Sequence, residues 1–246
     1  MPAEGPCEFL EWDSSFFGLR IARVADDFFD AKRLGEIEDW CERHRIDCLY
    51  FLARPDDPNT SRLAELAAFR LVDVRVTLEL EAGPRAPAPS VMGDGTALRL
   101  ARAGDSATLQ EAARRNHHDT RFYADERFPR RLCDSLYAAW IARSLEGYAD
   151  AVWVAEEAGK PVGYITCHLD REMAIGRIGL LGVNDGTRGR GIGPGLVSGS
   201  VAWFREQGMR IVRVATQGRN VAAQRTYQRC GFVTAAIGLW YHRWFR

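Results

Sequence analysis

Six cysteines in 246 residues form no Cys-x-x-Cys pair. Cys7, Cys41, Cys48, Cys133, Cys167 and Cys230 stand mostly in apolar contexts, so they read as reduced thiols of a cytoplasmic protein and supply no disulfide frame. Clusters of His, Cys and carboxylate at metal-ligand spacing are also lacking, and no metal is expected. Net charge is absent, with 33 basic residues offsetting 33 acidic ones, which disfavours nucleic acid or an anionic membrane as a partner. No apolar run is long enough to span a bilayer, and the start, MPAEGPCEFLEWD, lacks the basic segment and apolar core of a secretory leader. Neither a repeat with a period of roughly 20–50 residues nor a Ser, His and Asp set suited to a covalent acyl-enzyme is found.

What the chain does contain divides around one Pro- and Gly-rich stretch, GPRAPAPSVMGDG (Gly83–Gly95), where periodic structure gives way to a linker. Before it, residues 1–82 alternate strands at Ile21–Val24, Cys48–Ala53 and Leu71–Leu80 with helices near Ala31–Arg43 and Thr60–Ala68. After it, residues 96–246 open with a strand at Ala97–Ala101 and helices near Asp105–Arg115 and Pro129–Leu145, then strands at Ala151–Glu157 and Pro161–Leu169. Such alternation predicts an α/β fold, and a chain of this length can bury one large core or two small ones.

The segment GVNDGTRGRGIGPGLVSGSVAWFREQG, Gly182–Gly208, carries the most chemistry. Ala174–Val183 leads into it as a short buried strand, and Val197, Val201 and Phe204 recur at i, i+4 and i+7 on one face of the helix that follows. Between them lies Arg-x-x-Gly-x-Gly (Arg188, Gly191, Gly193). Glycines let the backbone turn tightly and approach an anion, while a helix start offers unpaired N–H groups at the positive end of its dipole. The loop is therefore a candidate pyrophosphate cradle, with amides from Gly189, Arg190, Gly191, Ile192 and Gly193; Pro194 has no N–H to give. A tight connection without a ligand is the alternative. A nicotinamide dinucleotide is disfavoured, because Pro194 spoils the glycine fingerprint and the strand Arg210–Gln217 ends without an acidic residue for the ribose. The loop also lacks the Gly-Lys-Ser/Thr of a Walker-type site.

Downstream, GRNVAAQRTYQRCGF (Gly218–Phe232) reads as a helix opening near Asn220 and stopping before Gly231, with Asn220 and Tyr227 on one face. In these pieces and their order the chain resembles the GNAT superfamily of acetyl-coenzyme A-dependent N-acetyltransferases. LEWDSSFFGLRIARV (Leu10–Val24), FRLVDVRVTLEL (Phe69–Leu80), RFYADERFP (Arg121–Pro129) and the closing WYHRWFR extend the likeness over nearly the whole chain. They are similar to the nucleotide-sugar branch, the acetyltransferases acting on dTDP-4-amino-4,6-dideoxygalactose. The resemblance implies an α/β protein of the α+β kind, a mixed-sheet GNAT domain preceded by a partial GNAT-like α/β domain. It also implies acetyl-coenzyme A as co-substrate and a nucleotide-linked amino sugar as acceptor; a homodimer is compatible with it.

The implied reaction is attack of a neutral amine on a thioester carbonyl within a ternary complex. An amine must lose a proton, an oxyanion must be stabilised and a thiolate must be protonated as it leaves. The tyrosine matching Tyr227 is the family's proton donor, and a phenol stays protonated at neutral pH; a packing role at the helix end is the alternative. Asn220 can hold the pantetheine amides, cap the helix, or do both. A backbone N–H among Leu181, Gly182 and Val183 is the candidate oxyanion donor. Arg188 and Arg190 either face the phosphates or are solvated. Asp73 matches an acidic residue that the branch uses as a base through water, and otherwise is an exposed strand residue. His117 and His118 are rival bases; His117 is instead assigned, with Arg121, Phe122 and Tyr123, to the acceptor pocket. Acetylation of a protein N-terminus or a small amine, and acyl-coenzyme A binding without turnover, remain as other readings.

Overall fold

Cys48, Leu49, Tyr50, Phe51 and Ala53 are all wholly inaccessible to solvent, so this strand is apolar on both faces, as a strand inside a layered α/β unit must be. It belongs to a computed structural model that describes residues 5–83 and 95–245. In chain order the elements are β1 (Cys7–Phe9), α1 (Glu11–Phe17), β2 (Ile21–Val24), α2 (Ala31–Arg43), β3 (Cys48–Ala53), α3 (Pro58–Leu66), β4 (Arg70–Glu81), β5 (Thr96–Leu100), α4 (Ser106–Asn116), α5 (Arg121–Ala124) and α6 (Arg130–Arg143). They continue with β6 (Ala151–Glu157), β7 (Lys160–Asp170), β8 (Ile175–Val183), α7 (Ile192–Glu206), β9 (Ile211–Gln217), α8 (Val221–Arg229) and β10 (Val233–Trp244).

The chain forms two compact units: Met1–Arg75 with Thr120–Leu132 and Ile237–Arg246, and Val76–Asp119 with Cys133–Ala236. They cut the chain differently from a division at the linker, since β4, α6 and β10 each contribute residues to both. The linker itself, Gly83–Gly95, lies outside the described residues except at its two ends.

In the first unit β1, β2, β3 and β10 are neighbours in that order; β2 and β3 run parallel and the other pairs antiparallel. Side chains alternate across a strand, so Leu49, Phe51 and Tyr241 pack with Phe29, Ile37, Cys41 and Ala64, while Tyr50 and His242 share the opposite face. Helix starts follow from composition. Asp30 caps α2 by accepting from Arg33 N, and Asp57 caps α3 by accepting from Asn59 N, with Pro58 in the first turn.

In the second unit the order is β9, β8, β7, β6, β5, antiparallel except for the parallel pair β8 and β9. Leu196, Val197 and Phe204 of α7 enter a core with Ile165, Cys167, Ile178, Val212 and Val214. Each such side chain contributes about 1.5–3 kcal/mol by leaving water, which holds α7 and the loop before it against the sheet. Val76, Leu78, Leu80 and Ala82 belong to the same core. All six cysteines are buried, and none is in a disulfide. Among the described residues no helix is long and apolar enough to cross a membrane, and no group of His, Cys, Asp and Glu could hold a metal ion.

Candidate active site

The second unit opens where two of its strands part. β8 and β9 pair from Ile175/Ile211 to Ile178/Val214, yet β8 runs on to Val183 and β9 to Gln217. Beyond the ladder's end, backbone groups on the facing edges can pair with an extended amide chain as an added strand would. On its other edge β8 is bulged: the register to β7 shifts between Ile165 and Cys167, and Thr166 Oγ1 fills the gap by accepting from Leu180 N at 2.8 Å. Leu181, Gly182 and Val183 lie past the bulge, opposite Ile165, Tyr164 and Gly163. A Cβ on Gly182 would stand 2.5 Å from Tyr164 Cε1 and 2.8 Å from its hydroxyl, so only glycine fits beside this buried ring.

That hydroxyl also lies 2.9 Å from His117 Nε2, and the His117 ring stacks on Tyr137 at 4.5 Å. Burial, helped by His118, lowers the His117 pKa to about 4, so His117 is neutral at physiological pH and a weak base for an ammonium.

After Val183 the chain reaches the glycine loop. Gly189 (φ +80) and Gly191 (φ +78) are left-handed, and Gly191 caps α7 with no side chain to serve the first turn. The N–H groups of Ile192 and Gly193 have no partner within the helix, and a helix start of this kind can accept an anion. Negative neighbours stand beside the loop's arginines, which were expected either to face the phosphates or to be solvated. Arg188 pairs with Asp185 at 2.9 Å and donates to Asn116 Oδ1 at 2.9 Å. Arg190 grips both oxygens of Glu157 at 2.6 and 3.0 Å and holds that carboxyl below its ordinary range. A groove of about 540 Å³ beside Asn184–Gly186 is lined by Glu111 and Asp185 together with Arg115 and Asn116.

Asn220 is the cap of α8, its Oδ1 accepting from Ala223 N at 3.0 Å. Gln224 closes the preceding turn by donating to Gln217 O and Gly218 O, and Cys230 Sγ donates to Pro194 O at 3.7 Å, tying α8 to the start of α7. Tyr227 is 4% exposed, its ring 5.7 Å from Phe232; burial, then Cys230, pushes its pKa up, so its proton stays on.

The second unit holds Leu181–Val183, Arg188–Gly193, Asn220, Tyr227 and His117. Asp73, Arg121, Phe122 and Tyr123 belong to the first unit. Asp73 is buried and its Oδ1 accepts from Val74 N at 2.8 Å, where an exposed strand residue was the simpler expectation. Phe122 is 2% exposed and stacks on Phe17 at 5.4 Å; it supports a wall and offers little surface. The Arg130 guanidinium lies over the Tyr123 ring at 4.9 Å. Tyr164 was not singled out from the sequence, because nothing local marks a strand tyrosine whose partner is a histidine 47 residues earlier.

The profile of the acetyltransferase (GNAT) family matches residues 109–232, a little over half of the chain. The spore coat polysaccharide biosynthesis protein SpsD of Bacillus subtilis is 28% identical over 57% of this chain and 48% of its own length. A dTDP-fucosamine acetyltransferase of Escherichia coli is 28% identical over 99% of this chain and 100% of its own. A mycothiol acetyltransferase of Gordonia bronchialis is 26% identical over 90% of this chain and 68% of its own. This chain therefore spans about half of SpsD and all of the Escherichia coli enzyme. Among solved structures, the fold resembles that of a GCN5-related N-acetyltransferase from Sphaerobacter thermophilus, with a TM-score of 0.68 and 19% identity over 98% of this chain and 76% of that one.

Proposed function

The chain belongs to the acetyltransferase (GNAT) family and is an acyltransferase, and on that premise we propose that it acetylates the amine of a nucleotide-linked amino-deoxy sugar, with acetyl-coenzyme A as donor. The observation that carries the donor is the parting of β8 from β9 beside the bare start of α7. An extended pantetheine arm can add to the open strand edges, and its pyrophosphate can take the N–H groups of Gly189–Gly193. Asn220, whose Oδ1 is engaged as a cap, keeps its side-chain N–H groups for a pantetheine carbonyl.

In this reading the thioester carbonyl lies against β8 at Leu181–Val183, where a backbone N–H steadies the oxyanion. The amine attacks and gives up its proton, Asp73 being the residue proposed as its base, and the tetrahedral intermediate collapses as Tyr227 protonates the departing thiolate. The acceptor class rests on likeness over the full length of both chains to a dTDP-fucosamine acetyltransferase. Likeness to a polysaccharide biosynthesis protein supports a place in the synthesis of surface-polysaccharide precursors in the cytoplasm.

The test is to present the purified protein and acetyl-coenzyme A with a panel of dTDP- and UDP-linked amino sugars, polyamines and peptides with free N-termini. Acetylation of a nucleotide-linked amino sugar is expected. Turnover of a polyamine or peptide alone would replace the acceptor, and acetyl-coenzyme A binding with no acetylated amine would replace catalysis by sensing.

A further inference from the structure

One face of the first unit's sheet carries more unmatched polar groups than a packed interior tolerates. Tyr50 and His242 are directly opposite in β3 and β10 and their rings stack at 4.7 Å. Two residues along the same face stand Leu52 and Trp240, both half-buried. Over this face lies Arg121, its guanidinium 4.5, 4.4 and 4.3 Å from the ring centres of Tyr50, Phe122 and Trp240. The Tyr50 hydroxyl, Thr120 Oγ1, Arg121 Nε and His242 Nε2 are all buried without a hydrogen-bond partner. Each such group is costly to leave unmatched, and natural folds rarely collect four in one place without something to satisfy them.

The chemistry of the four narrows what that is. His242 Nδ1 lies 2.8 Å from Asp125 Oδ2, which also accepts from Trp244 Nε1 at 2.9 Å. Burial lowers the His242 pKa to about 4, so its single proton sits on Nδ1 toward the carboxylate, and Nε2 is a bare acceptor. Arg121 Nε is a donor, while Tyr50 and Thr120 can do either. Asp13, half-buried on α1, adds a carboxylate whose charged neighbours are Arg121 and Arg23. A phosphate offers only acceptors and would meet Asp13 as a like charge. A planar imide, with carbonyl, N–H and carbonyl in a row, answers a donor and an acceptor together and slides between aromatic rings.

We propose that Asp13, Tyr50, Arg121, Trp240 and His242 form a pocket for the pyrimidine ring of a uracil or thymine nucleotide. Arg121 donates to a ring carbonyl, Asp13 or His242 Nε2 accepts the imide N–H, and Trp240 stacks. This rests on the nucleotide-sugar reading and assigns the base of the acceptor to the first unit.

The test uses the full chain and two ligands that differ by one methyl group: dTDP and N3-methyl-dTDP, titrated against tryptophan fluorescence, with ADP and pyrophosphate as controls. dTDP should bind at least ten-fold more tightly than its N3-methyl form, and pyrophosphate should not displace it. Arg121→Lys and Asp13→Asn, checked for native melting, should each weaken dTDP by a similar factor and raise the acceptor KM without changing acetyl-coenzyme A affinity. Equal affinity for the two ligands, displacement by pyrophosphate, or no dTDP binding would overturn the pocket. The two proposals fail separately. Sugar acetylation with an acceptor KM unmoved in both variants sinks the pocket alone, and discrimination between the two ligands without any sugar acetylation sinks the acetylation reading alone.

Discussion

Tyr164 and His117 meet through a 2.9 Å contact between the phenol oxygen and Nε2, and the same phenol occupies the space that any side chain on residue 182 would need. A histidine counted among the candidate bases is thus a half-buried neutral ring that braces the tyrosine lying beside Gly182 of β8.

This burial has a consequence for stability against pH. In the fold His117 binds its proton only near pH 4, against an ordinary value of 6.5, and His242 behaves alike. Between those values the unfolded chain holds more protons, so stability rises with pH there and is lost as pH falls from about 6.5 toward 4. Urea midpoints measured from pH 7.5 to 4 should show this loss, and His117→Gln should reduce the slope by up to one proton. An unchanged slope would acquit His117.

Gly191 holds a left-handed conformation at the start of α7, so a replacement has two effects to separate. Gly191→Ala should cost roughly 1–2 kcal/mol of backbone strain and weaken acetyl-coenzyme A moderately. Gly191→Glu adds a like charge at the pyrophosphate and should abolish binding in calorimetry while the protein stays folded. Equal affinities in the two variants would remove the phosphate from this loop.

Tyr227→Phe keeps a ring that packs near Phe232 and deletes the proton that Tyr227 would give. The expected result is a kcat lower by on the order of 10²-fold, with acetyl-coenzyme A affinity little altered. A wild-type kcat under conditions where chemistry limits the rate would leave Tyr227 a packing residue.

Asp73→Asn preserves an oxygen for the Val74 N–H but cannot accept a proton through a water relay. Its rate deficit should be greatest at low pH, where the amine is protonated, and should shrink as pH rises. A deficit of equal size at every pH would assign Asp73 a structural role.

Much of this architecture was legible because the signals are local. Strands at Ile21–Val24, Cys48–Ala53 and Ala151–Glu157 and a helix at Ala31–Arg43 appear with the bounds read from periodicity and caps. β8, the glycine loop, α7, β9 and α8 follow in the expected order. Helices α1 and α5 and the closing strand β10 were not read as elements. Glu11–Phe17 and Arg121–Ala124 are short and aromatic-rich, and their shape depends on rings from distant segments such as Phe17 on Phe122.

The sequence by itself determined the family's loop-and-helix chemistry, because backbone conformation at Gly189 and Gly191, the cap at Asn220 and the helix periodicity depend on near neighbours alone. Tertiary structure decided which partners those groups meet. It clamped Arg190 to Glu157, neutralised His117 against Tyr164, buried Asp73, and placed Val76–Ala82, which precede the linker, in the core of the second unit. It also brought Asp13, Tyr50, Arg121 and His242 into one unit. Hydrogen bonding and desolvation act over a few ångströms of space, and the residues within that reach come from segments tens to hundreds of positions apart.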